Sequence, residues 1–124
     1  MLPVMHAFDI LGDPVRRRIL ELLADDELSS GAIVEVIHAE FGISQPAVSQ
    51  HLRVLRENGF ARVRAEGARR LYAVEAAQLQ DIDRWLDPFR AFWSQRLDAL
   101  ATEIARGRRS ATPTPETDTE SQED

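Results

Sequence analysis

Residues 42–59, GISQPAVSQHLRVLRENG, are the stretch on which the reading of this chain turns. Ser44 is placed to cap a helix, because its side-chain oxygen can accept one of the orphan backbone N–H groups of the first turn. Pro46 is tolerated just inside that start, where N–H groups have no intrahelical partner. Gly59 is a natural stop, since glycine takes the left-handed conformation that ends helices. Between these signals Val48, Leu52 and Leu55 recur on one helical face. Pro46, Ser49, Gln50, Arg53 and Glu57 fall on the opposite face, and Gln45 projects forward from the tip. That outer face is polar, short-chained and rich in amide and hydroxyl groups. It suits the base edges of a DNA major groove, where each base pair shows a distinct donor and acceptor pattern. A plain solvated helix shows the same polarity, so the flanking sequence has to decide.

Upstream, Ser29 and Ser30 cap a helix over about 31–41 carrying Ile33, Val36, Ile37 and Phe41, and Gly42 ends it. Two helices joined through so short a glycine turn form a helix-turn-helix, with the recognition helix second. Before them, Asp13-Pro14 starts a helix running to about Asp26, with Val15, Ile19, Leu22 and Leu23 on one face. Arg16, Arg17 and Arg18 oppose the dipole at its first turns, which calls for a reason outside the helix: a phosphate, an acidic neighbour, or simple solvation. Ala7, Phe8, Ile10 and Leu11 form a short helical element ahead of it.

Downstream of Gly59 the period changes from 3.6 to 2. Residues 60–65 alternate, with Ala61, Val63 and Ala65 on one face and Arg62 and Arg64 on the other. A turn at 66–68 leads into a return strand, 69–74, in which Leu71 packs inward. This is a hairpin with an arginine rim, a wing whose cations would grip the DNA backbone without reading sequence. From about residue 75 to 106 runs a long helical stretch carrying Leu79, Ile82, Trp85, Leu86, Phe89, Phe92, Trp93, Leu97, Leu100 and Ile104. Asp87-Pro88 kinks it or restarts it. So apolar a stripe either packs against a second copy of itself, the reading favoured here, or folds back over its own core.

The fold class expected is therefore mostly α with a small β-hairpin: a winged helix-turn-helix of four helices, two strands and one or two final helices. One domain spans 1–106, its dimerisation helix at about 75–106, followed by a disordered acidic tail at 107–124. The tail explains the charge. The net value of −6 argues against a nucleic-acid partner, yet five of the 21 acids lie beyond Ala111, leaving 16 against 15 cations, all arginine. Residues 45–72 hold six arginines against Glu57 and Glu66, and local clustering matters more to phosphate binding than the total. No transmembrane run or signal-peptide layout is present, so the cytoplasm is the expected compartment.

DPVRRRILELL, followed by ISQPAVSQHLRVLRENGFARVRAEGARRLYAV, resembles the ArsR/SmtB family of bacterial winged-helix repressors over roughly residues 7–100. The resemblance implies a homodimer built from the first and last helices, with Phe8, Leu11, Ile82, Trp85, Phe89, Phe92, Trp93, Leu97 and Leu100 at its interface. It implies an inverted-repeat operator, usually the protein's own. It carries Ser44, Gln45, Pro46, Ser49, Gln50 and Arg53 over as recognition-helix positions, and Arg62, Arg64, Arg69 and Arg70 as wing positions. Many members sense metals through cysteines or a ligand set in the last helix. This chain has no cysteine, and His6, His38 and His51 are its only histidines. With too few imidazole and thiolate donors for a zinc site, no metal and no cofactor is expected, in keeping with a metal-independent branch of the family; an unidentified small-molecule inducer stays open.

Two other classes compete. Catalysis lacks a signature: there is no Gly-x-Ser-x-Gly, His-Glu-x-x-His, phosphate-cradling glycine loop or cysteine nucleophile. A winged helix used as a protein-interaction module without DNA fits the acidity, though not the arginines on helix tip and wing. A repressor with a small apolar ligand between its aromatic final helices is permitted but not required.

Overall fold

The computed structural model describes residues 4–111. In chain order it contains α1 (Val4–Leu11), α2 (Pro14–Asp25), β1 (Leu28–Ser29), α3 (Ser30–Phe41), α4 (Gln45–Glu57), β2 (Ala61–Glu66), β3 (Arg69–Val74), α5 (Ala77–Trp85) and α6 (Asp87–Ala111). The chain divides into two compact units, one ending at Trp85 and one beginning at Leu86. None of the described helices is long and apolar enough to cross a membrane.

The helix boundaries follow from local chemistry. Asp13 accepts the N–H groups of Val15 (2.8 Å) and Arg16 (3.2 Å), with Pro14 opening α2. Burial pushes the Asp13 carboxyl up, but the Arg16 N–H, the His51 ring and the Val15 N–H outweigh it and hold the group below the usual carboxylate range. Ser29 caps α3 through the N–H of Ala32, and Ser44 caps α4 through that of Ala47. At the helix-turn-helix junction Gly42 is left-handed, at φ 71°, and its N–H closes α3 on the His38 carbonyl at 2.9 Å. A Cβ at Gly42 would meet nothing within 4 Å, so Gly42→Ala carries the conformational penalty alone. It should lower stability by about 1–2 kcal/mol, read as a fall in the urea midpoint. An unchanged midpoint would mean that the turn rearranges freely.

The core of the first unit gathers Ile19 and Leu23 from α2, Ile33 and Ile37 from α3, and Val48, Leu52 and Leu55 from α4, with Phe60 and Tyr72 from the sheet side. On α2, Leu20 is buried, while the expected Leu22 is only partly so. Phe41 stands at the α3 terminus 39% exposed rather than in the core. Arg16 and Arg17 acquire their reason here. Their guanidinium groups donate to the Ile10 and Leu11 carbonyls, each at 2.7 Å, and so satisfy the last carbonyls of α1. Arg18 instead clasps Glu40 of α3 with two bonds, at 2.8 and 3.0 Å, which lowers the carboxyl's pKa and raises that of the guanidinium.

The sheet has three antiparallel strands in the order β1-β3-β2, one more than expected, because Leu28 and Ser29 pair with Tyr72 and Leu71. This makes β3 the central strand. Gly67 and Ala68 form the two-residue loop of the hairpin, with Gly67 at φ 61°, as tight hairpin turns require. Register places Ala61, Val63 and Tyr72 on the core face. Leu71 lies opposite Arg64 on the other face; it is buried, as expected, but outside the main cluster.

Pro88 opens α6 rather than kinking a continuous helix, α5 having ended at Trp85. Helix α6 then continues through Gly107 to Ala111, past the end expected near Arg106. Residues 112–124, most of the expected acidic tail, lie outside the described residues.

Candidate nucleic-acid interface

Helix α4 presents its two faces as its sequence divides them. Val48, Leu52 and Leu55 are buried, while Ser44, Gln45, Pro46, Ser49, Gln50 and Arg53 are all exposed. The Ser44 hydroxyl accepts the Ala47 N–H in the cap, which uses one of its lone pairs and leaves its O–H to donate. Arg53 donates to the Gln50 side-chain oxygen at 2.5 Å, joining two polar side chains of the outer face into one unit. Arg56 also belongs to this surface. It is exposed, seven residues or about two helical turns beyond Ser49 on the same face, and has no ion pair among the described residues.

Both ends of α4 are tied to the rest of the first unit. At the N-terminal end the His38 ring Nδ1 lies 2.9 Å from the Ile43 carbonyl and bridges the turn. His51 approaches Arg16 of α2 at 3.4 Å. At the C-terminal end Asn58 donates to the Val54 carbonyl through Nδ2, which leaves its oxygen to accept from His6 Nε2 of α1, each at 2.8 Å. Gln78 of α5 packs beside Gly59, where an added Cβ would come within 3.4 Å of it. The helix carrying the polar face is thus braced by α1, α2 and α5. All three histidines serve hydrogen bonds at separate places.

The wing carries the arginines expected of it, but most are occupied. Arg62 donates to Glu75 and to the Val74 carbonyl, both at 3.2 Å. Arg64 grips Glu27 with two bonds, at 2.8 and 3.0 Å, and reaches Glu66 at 3.4 Å. Arg69 donates to Glu66 at 2.8 Å. Arg64 holds the Glu27 carboxyl below the usual carboxylate range. Arg69, and after it Arg64, does the same for Glu66. Arg70 alone of the four wing arginines has no ion pair among the described residues.

The dimer residues expected from sequence divide into two sets. Leu11 and Ile82 pack partly buried against the core of the first unit. Phe8 and Trp85 meet edge to face at 5.1 Å, each still more than a third exposed. On α6, Phe89, Phe92, Trp93, Leu97 and Leu100 are 42–64% exposed, with Ile104 continuing the stripe.

Residues 11–64 match the model of a helix-turn-helix domain family. The chain is 32% identical over 81 residues to the transcriptional repressor SdpR of Bacillus subtilis, covering 65% of this chain and 86% of that protein. It is 35% identical over 100 residues to the HTH-type transcriptional regulator Rv2034 of Mycobacterium tuberculosis, covering 77% and 83%. The chain belongs to the ArsR family of winged-helix transcriptional regulators. Among solved structures, the homodimeric winged helix-turn-helix DNA-binding domain Mb0332 of Mycobacterium bovis, a possible ArsR-family regulator, is 26% identical. It aligns with a TM-score of 0.53 over 76% of this chain and 81% of its own. This ArsR-family chain is accordingly a DNA-binding transcriptional regulator, with α3 and α4 as its helix-turn-helix and β2–β3 as its wing.

Proposed function

We propose that the protein acts as a homodimeric repressor that places α4 of each protomer in successive major grooves of an inverted-repeat operator. The observation that carries this is the outer face of α4: Gln45, Ser49, Gln50 and Arg53 stand exposed on a helix fixed by its buried side and by braces at both ends. Amide side chains suit adenine, and a guanidinium suits guanine. Arg56 and Arg70, which have no ion pair among the described residues, supply backbone contacts. Two-fold symmetry sets half-sites about one helical turn apart. The homodimer of the Mycobacterium bovis relative and the apolar stripe on α6 support self-association.

Fluorescence anisotropy against duplex from the regulator's own promoter, beside a scrambled duplex, tests this reading. Arg53→Ala should weaken promoter binding by about 1–3 kcal/mol and reduce the preference over scrambled sequence. Arg70→Ala should weaken both duplexes alike and make the salt slope shallower by about 1. Equal, weak binding of the wild-type protein to both duplexes would instead favour a protein-interaction module.

A further inference from the structure

Arg64 lies on β2, and Glu27 immediately precedes β1, with β3 between those two strands. To clasp Glu27 with two hydrogen bonds, the Arg64 side chain has to span the central strand at Leu71, its cross-strand partner. Leu71 is 7% exposed although it sits on the sheet face away from the main core, as expected of a residue beneath such a bridge. At the tip, Glu66 is shared between Arg64 and Arg69. Two carboxylates thus balance two guanidinium groups on one edge of the wing, with short bonds from Arg64 to Glu27 and from Arg69 to Glu66 and a longer 3.4 Å contact from Arg64 to Glu66. Glu27 is partly exposed and the other three are exposed.

We propose that Glu27 and Glu66 are internal counter-ions that stand in for DNA phosphates, holding Arg64 and Arg69 back from the backbone and so setting the strength and salt response of wing binding. The proposal rests on the DNA-binding reading above and adds two residues that touch neither base nor phosphate. Exposed ion pairs are individually weak, so a phosphate can replace a carboxylate, but each replacement leaves the acid uncompensated beside the DNA. Removing the acid removes that opposition.

The test is a salt series of anisotropy titrations with the full chain and the promoter and scrambled duplexes. Glu27→Gln and Glu66→Gln should each raise affinity several-fold for both duplexes, with unchanged preference between them. Each should steepen the plot of log K against log salt by up to about 1 as one more phosphate is neutralised. The same Gln substitutions made in an Arg64→Gln, Arg69→Gln background should then have no effect. Glutamine at position 64 keeps a polar stem over Leu71, and a thermal melt of each variant checks that the wing stays folded. A gain that persists without the arginines would reflect general loss of negative charge and would overturn the proposal. So would unchanged affinity in the single variants. Failure of the wild-type protein to bind any duplex would overturn the DNA-binding reading itself, a distinct result.

Discussion

Replacing Leu97 and Leu100 together by Glu is expected to convert the protein from dimer to monomer at micromolar concentration. Both side chains are more than half exposed on α6, so the substitutions remove little that the isolated chain needs for folding. In an interface related by a two-fold axis each substitution acts twice, and buried apolar anchors are worth about 2 kcal/mol or more apiece. Even half of that total would weaken association about a thousandfold. Sedimentation equilibrium reads the change directly. Operator binding should fall with it, because in the proposed inverted-repeat arrangement a lone protomer holds one half-site, whereas far-UV circular dichroism should keep its helical amplitude. A dimer that persists at low micromolar concentration would remove α6 from the interface and leave the stripe needing another cover.

Phe60→Ala should be the most destabilising single substitution in the first unit. Phe60 is the largest side chain with no exposed surface, and it stands where the recognition helix hands over to the wing. Its N–H donates to the Leu55 carbonyl at 2.9 Å and its carbonyl accepts the Glu75 N–H at 2.8 Å. The backbone there is therefore pinned on both sides and cannot close over a void. Truncating a buried Phe to Ala costs about 3–5 kcal/mol, against a total stability of about 5–15 kcal/mol for a typical domain. Urea denaturation at fixed protein concentration measures the loss, with Phe60→Leu as the milder comparison. A drop under about 1 kcal/mol would mean that the site collapses around the smaller side chain.

The helices were legible because their signals are local. Asp13-Pro14, Ser29, Gly42 and Ser44 each act within one turn of the place they mark. The buried face of α4 could be counted directly, and so could the exposed face that forms its candidate site. What escaped depends on residues far apart in the chain. Strand β1 is two residues long and shows no alternation, yet its pairing with Leu71 and Tyr72 makes β3 the central strand. The sequence showed an arginine rim, but Arg64 finds Glu27 across 37 positions and Arg62 finds Glu75 across 13, so its pairing could not be counted from spacing. Arg56 counts in the sequence only as one of the six arginines of residues 45–72, although it repeats the position of Ser49 after seven residues. The puzzle of three cations at the start of α2 was visible in the sequence; its answer required knowing where α1 ends, for Arg16 and Arg17, and that Glu40 comes alongside, for Arg18.

The carboxylates that engage the wing lie outside α4: Glu27 before β1, Glu66 at the end of β2 and Glu75 after β3. On the counter-ion proposal, a lineage drifting at Glu27 and Glu66 would tighten or loosen its hold on every promoter while leaving the outer face of α4 untouched. Grip and choice would then be inherited through separate residues. A duplicated copy could keep its ancestral operator and still come to act at a different cellular abundance.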